Sequence, residues 1–231
     1  LNKALIIVDH RLFKQESNEQ FARIAKAVAN AHRIELLDLL AQGERTVEQL
    51  SDEAALTVAN TSQHLQSLRN AHLVVFRKEG LYVYYRLSDP TVYRLIQVIR
   101  DIAEHQLAEV NRIIDTYLTN RSELEPLSLN ELSLRLLDPE LTILDVRPGL
   151  EYNQGHLPGA RSIPVEELAT RLHELSVQQE IVAYCRGPYC VFADEAVDIL
   201  TENGYRARRM HEGYPDWCLS GLPIEMSEQL N

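Results

Sequence analysis

The chain has 231 residues, of which 45% are hydrophobic and 25% charged, with a formal net charge of -11. That is enough chain for two modest cores, and the composition excludes a fibrous or low-complexity protein. No apolar run approaches the roughly 18 residues of a membrane helix, so no membrane partner is expected.

Leu1–Val8 contains an apolar stretch, Ala4–Val8, too short for the core of an export signal. Three cysteines without regular spacing make no disulfide framework. A reducing cytoplasm is therefore the expected compartment, with thiols free for chemistry. Of the 23 basic and 34 acidic side chains, residues 1–120 hold 14 and 15, and residues 121–231 hold the remaining 9 and 19. The acidic burden belongs to the second half, which leaves the first half able to present a basic face to phosphates.

Residues 1–17 read as a lead-in, followed by a first domain over 18–119. Phe21, Ile24 and Val28, then Ile34, Leu36, Leu37, Leu39 and Leu40, recur at helical spacing until Gly43 stops the run. Thr46 caps a short helix with Gln49 as capping-box partner. Thr57 starts the next helix, which runs to about Asn70, and the tight connection at Ala55–Leu56 makes the pair a helix-turn-helix. Leu73–Phe76 and Leu81–Leu87 read as a β-hairpin turning at Lys78-Glu79-Gly80. Asp89-Pro90 then opens a long helix over 91–118, roughly 40 Å at 1.5 Å per residue. Its wide apolar stripe, Leu95, Ile99, Ile102, Val110, Ile113 and Tyr117, predicts a homodimer seam.

The helix from Thr57 divides its faces. Thr61, Leu65 and Leu68 sit at i, i+4 and i+7 and point to a core, leaving Asn60, Ser62, Gln63, His64 and Gln66 outside. Amide side chains bond adenine bidentately and hydroxyls reach phosphate or base edges, so this face, followed by Arg77 and Lys78 on the hairpin, suits major-groove reading with a phosphate-touching wing. The order of elements, with Ser62-Gln63-His64-Leu65-Gln66-Ser67-Leu68-Arg69, Phe21–Leu40 and Gly80–Leu87, resembles the arsenic-repressor (ArsR-type) winged-helix regulators over about residues 18–118. The resemblance implies a dimer bound to a double-stranded, pseudo-palindromic operator, usually as a repressor. Many members of that family sense metals through cysteines before the recognition helix, and residues 46–56 contain none. Asp101, His105 and Glu109 share a helical face only weakly ligand-like, so neither a metal nor a cofactor is expected.

Residues 120–126 are polar, contain Pro126 and read as a linker. The second domain, 127–227, alternates helix and strand signals: Leu129–Leu137 helical, Thr142–Val146 strand, Val165–Leu175 helical, Ile181–Tyr184 strand, Val191–Asn203 helical, Ala207–Met210 strand. That alternation predicts an α/β fold with a parallel sheet. Cys185-Arg186-Gly187-Pro188-Tyr189-Cys190 lies between a strand and a helix, where backbone N–H groups form an anion-favouring nest. The nest and Arg186 are expected to lower the pKa of Cys185 and make it a nucleophile. Cys190 is either a resolving thiol or a small buried residue, and Cys218 is expected to pack.

Three segments carry a second resemblance: Asp145-Val146-Arg147, Tyr152–Ala160 with His156 inside it, and Gly213-Tyr214-Pro215-Asp216-Trp217. Together with the cysteine loop they resemble the rhodanese-type sulfurtransferases over about residues 126–225. The resemblance implies a persulfide on Cys185 and a sulfane-sulfur donor, thiosulfate or polysulfide. It gives Asp145, Arg147 and His156 supporting places and Gly187, Pro188 and Tyr189 the rest of the loop. Sulfurtransferases commonly carry a basic or hydroxyl residue where Cys190 stands. Two functions follow: a sulfur-sensing regulator, or a sulfurtransferase with an attached DNA-binding domain. An oxyanion-binding loop is a third, weaker reading.

Overall fold

A computed structural model of the chain describes residues 9–118 and 125–227. Two compact units emerge: one holds the residues up to Leu40 with Glu44–Val92, the other Ala41–Gly43 with everything from Tyr93.

In the first unit, α1 (His10–Val28) begins where Asp9 accepts from the amides of Arg11 and Leu12 at 2.9 and 3.2 Å. The helix thus runs through residues 10–17, expected as lead-in; Leu1–Val8 lie outside the described residues. After α2 (Ala31–Ala41) comes β1 (Arg45–Thr46), a strand of two residues that the sequence did not announce. Thr46 caps α3 (Val47–Glu53) in a full capping box with Gln49, and Thr57 caps α4 (Val58–Asn70), accepting from the Asn60 amide at 3.2 Å. Between them Ala55 takes a φ of 50°, the left-handed residue of the sharp turn. Arg45 is buried and bonds Glu53 and the Leu39 carbonyl, both at 2.7 Å, which pairs its charge and ties β1 to α2 and α3.

Strands β2 (Val74–Glu79) and β3 (Tyr82–Leu87) form the hairpin, with β1 on the far side of β3. Glu79 pairs with Tyr82, so Lys78 and Glu79 belong to the strand and the turn is Gly80-Leu81 alone. Gly80 has a φ of 59°, the positive value a two-residue hairpin turn needs at its first position.

The expected single helix over 91–118 is two: α5 (Thr91–Gln106), capped by Asp89, and α6 (Ala108–Tyr117). Leu107 is extended (φ −116°, ψ 103°), and the Asn111 side chain meets the Glu104 carbonyl at the break, at 3.2 Å. No proline or glycine marks the spot. Packing also divides the chain at Val92–Tyr93 rather than at the linker, of which 120–124 lie outside the described residues.

From Tyr93 the second unit continues through α5 and α6 into α7 (Leu129–Leu134), β4 (Leu141–Asp145), α8 (Gly149–Gln154), β5 (Arg161–Ser162), α9 (Val165–Arg171), β6 (Glu180–Tyr184), α10 (Phe192–Glu202), β7 (Arg206–Arg209) and α11 (Tyr214–Leu219). The sheet is parallel in the order β5-β4-β6-β7. Alternate residues of each strand serve opposite cores. Leu144, Ile181 and Ala183 pack with α9 and α10, while Ile143, Val182 and Tyr184 pack with Leu132 and Trp217. Because β4 is flanked by β5 and β6, the strand order reverses there, and the carboxyl ends of β4 and β6 open a crevice of the kind where α/β sheets bind ligands.

Candidate functional site: a two-thiol loop and a recognition helix

The end of β4 carries a buried ion pair. Asp145 and Arg147 are both at 0% side-chain exposure, joined through Arg147 Nη2 at 2.6 Å and Nε at 3.0 Å. Arg147 also donates to the Gly155 carbonyl at 2.8 Å, and the Tyr184 hydroxyl donates to Asp145 at 2.5 Å. Tyr184 in turn accepts from the Leu157 amide at 3.1 Å. These bonds lash the segment around His156 to the root of the cysteine loop. His156 is buried, stacked on Tyr152 at 3.7 Å, and paired backbone to backbone with Glu225, so it shapes a turn.

Cys185 follows β6 and is 3% exposed; Cys190 is half-buried, and both are free thiols. The loop between them is pressed into shape from outside. Tyr214 donates its amide to the Cys185 carbonyl at 3.1 Å. A Cβ on Gly213 would lie 2.3 Å from the Gly187 nitrogen and 2.4 Å from the Arg186 carbonyl carbon, so only glycine fits there. The Gly213 amide is capped by Asp216 at 2.7 Å.

Arg186 does not aim its charge at the thiol as expected. Its guanidinium grips Glu151 of α8, Nε to Oε1 at 2.9 Å and Nη2 to Oε1 at 2.5 Å, and Glu151 is itself buried. The expected lowering of the Cys185 pKa is reversed as well. Burial, and then the neighbouring Cys190, push the Cys185 thiol well above the ordinary cysteine range. The hydrogen bond from Cys185, helped by the amides of Arg186 and Phe192, holds Cys190 below it. The amides of Gly187 and Ala193 face Cys185. The amides at the start of α10 therefore face both sulfurs, and burial weighs more heavily on Cys185 than on Cys190. Cys218 is exposed rather than packed, with the Tyr214 hydroxyl donating to it.

On α4, Thr61, Leu65 and Leu68 are buried, while Asn60, Ser62, Gln63 and Gln66 are exposed. Thr57 spends its hydroxyl on the cap. Gln66 bonds Asn70 at 2.6 Å, and His64 lies 5.6 Å from the His32 ring. Burial, with Arg33 and His32 nearby, lowers the His64 pKa. Lys78 is exposed at the wing. Arg77 is held by Glu44 at 2.7 Å and by Glu79, so its charge is already answered.

Comparison with known proteins agrees with both halves. The family described as "Bacterial regulatory protein, arsR family" matches residues 30–75, and the "Rhodanese-like domain" matches residues 128–220. The "HTH-type transcriptional regulator Rv0324" of Mycobacterium tuberculosis is 42% identical over 207 residues, 90% of this chain and 91% of that one. This chain belongs to the ArsR family of regulators, with a rhodanese-like domain after the winged helix. A "Sulfurtransferase" of Allochromatium vinosum is 32% identical over 99 residues, 42% of this ArsR-family chain and 91% of that protein. The solved homodimeric winged helix-turn-helix domain of Mb0332 from Mycobacterium bovis is 38% identical, covering 42% of this chain and 89% of that one at a TM-score of 0.39.

In this ArsR-family chain the face expected from Asp101, His105 and Glu109 does not exist as one surface. The break at Leu107 puts Glu109 on α6, where it pairs with Arg112 at 3.2 Å. Among the described residues no group of three His, Cys, Asp or Glu side chains is placed to hold a metal, and no helix is long and apolar enough to cross a membrane. Glu151, Tyr184, Gly213 and Asp216 were not foreseen as site residues. Gly213 and Asp216 lie in a segment the sequence had marked, but Glu151 carried no signal beyond its type.

Proposed function

We propose that the chain is a repressor that binds operator DNA as a homodimer and senses reactive sulfur at Cys185. The observation that carries this reading is the thiol pair Cys185 and Cys190 sharing one amide nest. A nest that holds one thiolate between two sulfurs suits a nucleophile with a built-in resolving partner. The Cys190 thiolate takes the proton of Cys185 while the Cys185 sulfur attacks the sulfane sulfur of a hydropolysulfide or thiosulfate. The donor S–S bond breaks, and the shortened polysulfide or sulfite leaves with that proton, restoring the Cys190 thiolate. Cys185 is then a persulfide. The Cys190 thiolate attacks Cys185 Sγ, the Sγ–sulfane bond breaks, and hydrosulfide leaves with the electron pair. Two thiols become one disulfide, and the sulfane sulfur is reduced to sulfide.

Asn60, Ser62, Gln63 and Gln66 of α4 are the base-edge and phosphate readers, with His64 and Thr57 at their margin and Lys78 on the wing. Ile102, Leu107, Ile113 and Tyr117 are exposed along α5 and α6 and supply an apolar seam for the second copy. Sulfur loading releases the operator. The test is binding of the dimer to DNA from upstream of its own gene, with and without polysulfide, in the parent and in Cys185→Ser. Weakening in the parent alone supports the reading; binding indifferent to sulfur in both sinks it.

The likeness to a sulfurtransferase across the second domain favours one other reading, turnover of thiosulfate to an acceptor through Cys185, Arg186 and the loop. Steady turnover lost in Cys185→Ser supports it. Stable persulfide without turnover counts against it.

A further inference from the structure

The cysteine loop does not end in solvent. The hydroxyl of Tyr189, next to Cys190, donates to Glu104 of α5, and the Arg100 guanidinium lies 5.2 Å from the Tyr189 ring centre. Asp216, whose carboxylate caps the Gly213 amide that sits on the loop, accepts from Gln97 Nε2 at 2.5 Å and from the Tyr93 hydroxyl at 3.4 Å. Tyr93, Gln97, Arg100 and Glu104 are spaced by four, three and four residues, so they form one stripe along α5. All belong to the same compact unit as the loop. The stripe and the loop enclose a cleft of about 530 Å³. At 100° per residue the exposed apolar Ile102 falls on the opposite side of the helix, whereas Val98 lines the cleft. One face of α5 is thus committed to the sulfur loop and Asp216, and the other is left for the dimer seam.

We propose that α5 is the element that reads the sulfur state of the loop, through Tyr189–Glu104 and Gln97–Asp216. The inference rests on the sensing reading above and names its route. Closing the Cys185–Cys190 bond, with hydrosulfide leaving, draws position 190 toward Cys185 and takes the adjoining Tyr189 off Glu104. The helix that loses this anchor begins at Thr91 and Val92, inside the first unit. The message therefore enters the DNA-binding unit along a continuous helix and does not depend on residues 119–124.

The experiment measures operator affinity of the full chain with and without inorganic tetrasulfide, in the parent and in Glu104→Ala, Gln97→Ala and Glu104→Gln. Mass spectrometry follows the Cys185–Cys190 bridge in each sample, and Trp217 fluorescence confirms folding. The parent is expected to lose affinity within the usual allosteric range of about 5–150-fold. Glu104→Ala and Gln97→Ala are expected to form the bridge yet lose less than about 2-fold, far below that range. Glu104→Gln keeps an accepting oxygen for Tyr189 and should restore the response. Alanine variants that bridge and keep the parent's full loss overturn the role of α5. A parent whose affinity ignores tetrasulfide fails the sensing reading itself, and the α5 route falls with it. Should one alanine variant fail to fold, the other and Arg100→Gln decide the matter by the same two readouts.

Discussion

Asp145→Ala offers the most stringent test of how the site is held together. Asp145 is fully buried and accepts from Arg147 through Nη2, Nε and its backbone amide, and from the Tyr184 hydroxyl. Removing it strands a buried guanidinium, which costs about 3–5 kcal/mol. The orphaned Tyr184 hydroxyl adds about 1–3 kcal/mol. The two share one acceptor, so their costs overlap, and about 4 kcal/mol is the expected loss. At roughly 3–4 °C per kcal/mol for a unit of about 140 residues, the midpoint falls by about 12–16 °C. The chain has a single tryptophan, Trp217, buried in the same core, so its fluorescence reports unfolding of this domain alone. Adding Arg147→Met removes the stranded charge and should recover at least half of the loss. A single-variant loss under about 1 kcal/mol, or a double variant no better than the sum of the singles, would refute the argument that a buried pair is costly to halve.

Gly213→Ala places a methyl group on the backbone of Arg186 and Gly187; it should cost about 1–3 kcal/mol and abolish persulfide formation at Cys185, read by mass spectrometry. Cys190→Ser removes a neighbour that raises the Cys185 thiol, so the pH profile for alkylation of Cys185 should move to lower pH; an unchanged profile would leave burial as the whole cause. In the parent the pair should alkylate in two steps, the first below the ordinary cysteine range at Cys190 and the second above it. Gln63→Ala should lower operator affinity by about 1–3 kcal/mol and relax one base preference, whereas Lys78→Ala should weaken all sequences alike and reduce the salt slope by about 1. Thr57→Ala should destabilise α4 by about 1 kcal/mol, visible in chemical denaturation.

Caps and faces were legible in the chain because they are local. Thr46, Thr57 and Asp89 each act within three residues of themselves, and Thr61, Leu65 and Leu68 follow one helical period. The alternating strands and helices of the second domain were legible for the same reason. The two-residue strands β1 and β5 were not, since pairing with a neighbour, and not propensity, makes them strands. Nor was the break at Leu107, which no proline, glycine or side-chain cap announces. The cysteine loop was found from its residues, but the direction of its electrostatics was not. Burial of Cys185 and the Glu151 carboxylate around Arg186 are tertiary facts, and together they outrank the charge that the loop carries in its own sequence.

The form of that loop is imposed by Gly213, Tyr214 and Asp216, which lie more than 20 residues away in the chain. A scaffold that moulds a segment from outside lets the segment's own letters vary. Positions 188 and 190 are then interchangeable parts in a fixed housing, whereas Arg186 and Tyr189 are tied to Glu151 and Glu104. The second thiol at position 190 is one such part. On the sensing reading proposed above, a chain of this design passes from carrying sulfur to reporting it by a single replacement inside the loop.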